Sequence, residues 1–141
     1  MKKTTLIAAL GLAALAAPAF AQDVAKGEKD FAKCKACHSI TADDGTDIVK
    51  GGKTGPNLYG VIGRPVASVA DFKYGDSILA VGASGAVWDE AMLATYVADP
   101  VAFLKDKTGD SKAKSKMSFK LPKGGEDMAA YLASLKPAAT N

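Results

Sequence analysis

The chain has 141 residues, with 18 basic and 15 acidic side chains, two cysteines and one histidine. That length fits one domain, and neither an internal repeat nor a low-complexity linker interrupts it. A formal charge of only +3 argues against nucleic acid as a partner.

The N-terminal stretch "MKKTTLIAALGLAALAAPAFA" places Lys2 and Lys3 before an apolar run from Leu6 to Ala17. Pro18 breaks the run, and Ala19-Phe20-Ala21 closes it with small residues flanking a larger one. This is the layout of a secretory signal peptide, and the run is too short to span a bilayer comfortably. Cleavage is expected after Ala21, leaving residues 22–141 as one exported, periplasmic domain. No later stretch reads as a membrane span. Without Lys2 and Lys3 the charge is near zero but unevenly spread. Between Lys105 and Lys123, seven lysines stand against Asp106 and Asp110, a local balance of +5. The rest of residues 22–141 therefore sums to −4. On its own such a run reads as a solvated surface loop.

A first helix is expected over Val24 to Ala32, leading directly into "CKACH". From Ser39 to Val87 glycine recurs too often for long regular structure, and only a short helix from Tyr74 to Ala80 is expected there. Another runs from about Asp89 to Ala98, with Met92, Leu93, Tyr96 and Val97 on one face. Asp99-Pro100 then reads as an N-cap followed by proline at the first helical position, starting a short helix through Phe103 and Leu104. The last helix, about Gly125 to Leu135, sets Met128, Tyr131, Leu132 and Leu135 at i, i+3, i+4 and i+7. Pro137 ends it. Nothing alternates long enough to argue for a sheet, so the expected class is all-α, with four to five helices and long loops.

Both cysteines and the only histidine fall in Cys34-Lys35-Ala36-Cys37-His38. A redox dithiol of the thioredoxin kind follows a buried strand, and none precedes Cys34. A structural zinc ion takes four ligands, more than two thiols and one imidazole supply. An isolated disulfide leaves the adjacent histidine without a role. C-x-x-C-H is the attachment pattern for c-type haem. Two thiols one helical turn apart can form thioethers with the two vinyl groups on one porphyrin edge, and the next residue offers its imidazole to the iron. The implied cofactor is one covalently bound haem c.

No second histidine is available for the iron's other axial position, which leaves the methionines. Met1 departs with the signal, and Met92 and Met128 sit among apolar neighbours at helical spacing, as core residues do. Met117 lies in "KAKSKMSFK", a lysine-rich stretch without an apolar face. It is either a chance surface methionine or a thioether donor, and a thioether opposite a histidine raises the iron's potential.

With these residues in place the chain resembles class I cytochrome c, and most closely the longer bacterial cytochromes c2. "KGEKDFAKCKACHS" is similar to the family's first helix and haem motif, and "KTGPNLYGVIGR" to its proline loop. "FKYGDS" is similar to the propionate-side segment, "SKMSF" to the methionine loop, and "GGEDMAAYLASL" to the closing helix.

The resemblance implies that Cys34 and Cys37 are the thioether anchors and that His38 and Met117 are the axial ligands. It implies that the Pro56 carbonyl accepts the Nδ1–H of His38, and that Arg64, Tyr74 and Trp88 lie near the haem propionates. Gly27 and Phe31 would pack against Tyr131 and Leu132, and Tyr96 would sit near the Met117 sulfur. Two stretches, Ser39 to Lys53 and Phe103 to Met117, are longer than in the short mitochondrial members. The implied function is that of a monomeric periplasmic electron carrier, not an enzyme. It would take electrons from a cytochrome bc complex and pass them to a photosynthetic reaction centre, a terminal oxidase, or both. Lys33, Lys35, Lys53, Lys116 and Lys120 are expected nearest the haem edge, facing an acidic partner. The competing readings are a haem peroxidase or gas-binding sensor with an open iron position, and a fixed subunit of a larger complex.

Overall fold

The computed structural model describes residues 22–135, so the segment 1–21, expected to be a signal peptide, and Pro137 lie outside the described residues. Among the described residues there are five helices: α1 (Val24–Asp30), α2 (Asp76–Ala83), α3 (Glu90–Ala98), α4 (Pro100–Thr108) and α5 (Gly125–Ser134). A 3₁₀ turn over Phe31–Lys33 extends α1 toward the cysteines.

Local chemistry accounts for most of the ends. Asp23 caps α1 by accepting the Lys26 N–H at 2.9 Å, and Asp89 caps α3 by accepting the Met92 N–H at 2.6 Å. The Asp99-Pro100 cap forms as expected, with the Ala102 N–H donating to Asp99 Oδ1 at 3.1 Å. Helix α4 runs past Leu104 to Thr108, farther than the sequence suggested. Lys105 and Lys107 in its last turn favour the negative end of the helix dipole. Gly109, at φ 69°, supplies the left-handed cap that ends it. Helix α2 starts two residues later than expected, because extended Gly75 is its N-cap.

The expectation of no sheet needs one correction. Among the described residues, β1 (Ile40–Thr41) pairs antiparallel with β2 (Asp47–Val49). Strands of two and three residues are too short for alternation to register in the sequence. The pair is held by its turn, where Gly45 takes φ 86° and the Thr41 hydroxyl donates to Asp47 at 2.8 Å. The class remains helical.

The frame that positions everything else is the packing of α5 against α1 and α3. A Cβ on Gly27 would collide with the Asp127 carbonyl and come within 2.9 Å of Tyr131 Cβ. Glycine alone allows α1 to approach α5 this closely. Phe31 and Tyr131 then meet at 5.9 Å between ring centroids. On the other side Gly125 lets α5 approach the Ala94 carbonyl, 3.0 Å from where a Cβ would stand. Phe31, Leu104, Met128 and Leu132 are each at most 2% exposed in the core this creates. Trp88, Tyr96 and Phe103 form an aromatic cluster with centroid separations of 5.2, 5.3 and 6.0 Å.

Candidate functional site

The turn after α1 continues through the cysteine motif. Cys34 N–H donates to the Phe31 carbonyl at 2.8 Å, and His38 N–H donates to the Cys34 carbonyl at 3.0 Å. Three glycines press the following loop onto it. A Cβ on Gly51 would strike the His38 carbonyl, one on Gly52 the Ala36 carbonyl, and one on Gly55 the His38 ring itself. Gly52 and Gly55 also donate their N–H groups to the carbonyls of Lys35 (2.9 Å) and Cys37 (2.8 Å). Asn57 ties the same loop to β1, accepting the Thr41 N–H at 3.0 Å and donating to the Thr41 carbonyl at 2.7 Å.

This packing fixes one imidazole. His38 Nδ1 lies 2.8 Å from the Pro56 carbonyl. A carbonyl can only accept, so Nδ1 carries the proton and Nε2 keeps its lone pair. Burial lowers the pKa of His38, and the Pro56 carbonyl partly opposes that. A neutral imidazole with a fixed tautomer is the form that binds a metal, and such a carbonyl partner raises its basicity. Both cysteines are free. Burial pushes the Cys34 thiol up to about 11, whereas a redox dithiol depends on a lowered pKa. Among the described residues no group of three or more His, Cys, Asp and Glu side chains is placed to share a metal ion.

Cys34, Cys37 and His38 line one cavity of about 370 Å³, and Met117 lines it too. Phe31, Leu93, Leu104, Met128 and Leu132 contribute its apolar wall, while Arg64, Tyr74, Trp88 and Tyr96 also face it. The half-buried Arg64 guanidinium donates to the carbonyls of Asn57 (3.0 Å) and Tyr59 (3.1 Å). Burial raises the pKa of the Tyr96 phenol, and the Ser115 hydroxyl beside it opposes that shift. Ser115 also accepts the Met117 N–H at 3.1 Å and donates to the Met117 carbonyl at 2.9 Å. Apolar walls with few polar groups, two thiols, a fixed imidazole and a thioether suit a flat apolar cofactor with a central metal. A larger, shallower groove of about 1040 Å³ beside α3 and the turn before α5 contains no cysteine, histidine or methionine.

No protein-family model matches the chain. It is 64% identical over 135 residues to cytochrome c2 of Rhodobacter capsulatus, covering 96% of this chain and 98% of that one. It is 59% identical over 141 residues to cytochrome c-550 of Paracoccus versutus, covering 97% and 92%. The crystal structure of ferric cytochrome c-550 from Paracoccus versutus superposes with a TM-score of 0.80 at 62% identity, covering 82% of this chain and 98% of that one. The chain belongs to the cytochrome c2 family. As a family member it is an electron carrier built around one covalent haem c, with no substrate to turn over.

Within that family frame, two of the five lysines expected nearest the haem edge, Lys33 and Lys116, line the cavity. Lys35, Lys53 and Lys120 do not, and Lys73 and Lys114 line it instead. Lys33 is paired with Asp30 and Lys120 with Asp99, each at 2.7 Å. Sequence reasoning also passed over Gly51 and Gly52. Their adjacent pairing, fifteen or so residues past the cysteines, looks like ordinary loop glycine until the motif is seen packed beneath it.

Proposed function

We propose that residues 22–141 form a monomeric periplasmic carrier of single electrons, exported by a signal peptide cleaved after Ala21. In this reading Cys34 and Cys37 hold the haem through thioethers, and His38 and Met117 are its axial ligands. The observation that carries the reading is the gathering of the only histidine, both cysteines and Met117 around one apolar cavity. The haem supplies an iron that alternates between two oxidation states. The chain's own residues do the rest: the Pro56 carbonyl orients the His38 imidazole, the Ser115 hydroxyl fixes the Met117 backbone, and the apolar wall excludes water. Exclusion of water and a thioether donor both favour a high potential.

The membrane partners follow from the family resemblance: electrons arrive from a cytochrome bc complex and leave to a photosynthetic reaction centre, a terminal oxidase, or both. Docking uses the lysine-rich face around the cavity. No helix among the described residues is long and apolar enough to cross a membrane.

Two measurements test the ligation. The denatured, acid-extracted protein should keep its haem colour and weigh one haem more than the processed polypeptide. Loss of the colour into the solvent would remove the thioether assignment. Met117→Ala should lower the potential and let carbon monoxide bind the reduced protein readily, while the haem stays attached. A variant with an unchanged spectrum and potential would mean that another group holds the sixth position. Ready carbon monoxide binding by the unaltered protein would favour the gas-sensor reading instead.

A further inference from the structure

The methionine loop, residues 110–121, is anchored at one end where the Leu121 N–H donates to the Val97 carbonyl of α3 at 2.7 Å. At the other end it reaches the start of α2. The Lys114 N–H donates to Ser77 Oγ at 3.0 Å, and Lys116 Nζ donates to the Lys73 carbonyl at 3.0 Å. The Lys116 methylene chain lies along Gly75, with Cγ 3.4 Å from where a Cβ would stand. Ser115, between these two lysines, is the residue whose hydroxyl holds both backbone polar groups of Met117. Lys73, Gly75 and Ile78 line the cavity from one segment, and Lys114 to Met117 line it from the other. Ser77 does not line it. Its hydroxyl joins two walls of the cavity from outside.

We propose that the first turn of α2 is a clasp on the methionine loop, with Ser77 the positioning residue that holds Met117 at the iron. The inference rests on the reading of Met117 as an axial ligand. Loops whose attachments are a few exposed backbone hydrogen bonds open locally, at far less cost than global unfolding. Lys114 and Lys116 are exposed, so this end of the loop opens first. Met117 then swings away about the Leu121 anchor.

The test is the rate at which added imidazole binds the oxidised holoprotein, at imidazole concentrations high enough that loop opening limits it. Ser77→Ala should open roughly 2- to 10-fold faster, the scale of one lost hydrogen bond. Ser77→Thr keeps a hydroxyl and should restore the original rate, and Ser77→Ala should lose no more global stability than the one bond its faster opening reports. No acceleration in Ser77→Ala overturns the clasp, and so does an acceleration that Ser77→Thr does not reverse. Met117→Ala, lacking the thioether, should bind imidazole without an opening step. Equal rates in that variant and the unaltered protein would remove the ligand reading, and the clasp with it. A difference there beside an unchanged Ser77→Ala overturns the clasp alone. In the unaltered protein the Lys114 amide should exchange with solvent more slowly than an unprotected amide; free exchange overturns the clasp without any variant.

Discussion

Position 55 allows no side chain, because even one carbon there collides with the His38 ring. Gly55→Ala must push the imidazole away from the Pro56 carbonyl or move the loop, an overpacking that costs about 1–3 kcal/mol. Denaturant unfolding should report that loss, together with a changed haem potential. Unchanged values of both would mean the loop yields freely. Two methionines make a contrasting pair. Met128 is 2% exposed, so Met128→Ala should cost about 2–5 kcal/mol. Met92 is only partly buried against the core, so Met92→Ala should cost less, and neither should open the iron to carbon monoxide. At this scale the sequence was informative where chemistry is scarce. One histidine beside two cysteines, and one methionine stranded among lysines, stand out because such residues are few in this chain. Gly51, Gly52 and Ser77 do not stand out, because their meaning lies in contacts with distant residues, in the case of Ser77 a partner 37 positions away.

Helices were legible wherever a cap or a period of 3.6 announced them, and Asp99-Pro100 marked both the end of α3 and the start of α4. The β1–β2 pair and the start of α2 were not, since a two-residue strand and a glycine cap leave no periodic trace. The crossing of α1 and α5 was implied by the family resemblance, and its electrostatic fastening appeared only in the structure. Asp127 Oδ1 accepts the Asp23 N–H at 2.9 Å, and its other oxygen accepts from Lys26 Nζ. The Lys26 bond, and then the Asp23 N–H, hold the Asp127 carboxyl below the usual carboxylate range. A carboxyl depressed on folding contributes stability above its unfolded pKa of about 4, and that contribution is lost as pH falls through the lower folded value. Asp127→Asn should therefore be less stable than the unaltered protein at neutral pH, with the gap closing as the solution is acidified below about pH 4. Denaturant midpoints for both proteins across that range check it. A gap that is constant with pH would assign the loss to packing rather than to the ionised carboxyl. The Lys26 side chain that pairs with it is exposed, so the effect should also shrink in high salt.

Over the whole molecule the charge is divided, with +5 between Lys105 and Lys123 and −4 over the remainder of residues 22–141. In the proposed reading the basic segment contains the methionine loop, so the dipole points the cavity face toward an acidic partner. Fields of this kind raise association rates by about 10- to 1000-fold at low salt and fade as the Debye length shrinks. The structure refines which lysine to test. Lys33 and Lys120 are tied to Asp30 and Asp99, and Lys116 also belongs to the α2 clasp. Lys114 lines the cavity and reaches Ser77 only through its backbone N–H, so changing its side chain leaves that bond in place. Charges at the rim of an interface act mainly on the on-rate. Lys114→Glu should therefore slow second-order electron transfer to the membrane acceptor at low ionic strength, flatten its salt dependence, and leave the haem potential nearly unchanged. The measurement is the bimolecular rate across a salt series for both proteins, alongside redox titrations. Parallel salt profiles would leave the lysine segment as a solubilising surface, and a shifted potential would mean the substitution had disturbed the cavity itself.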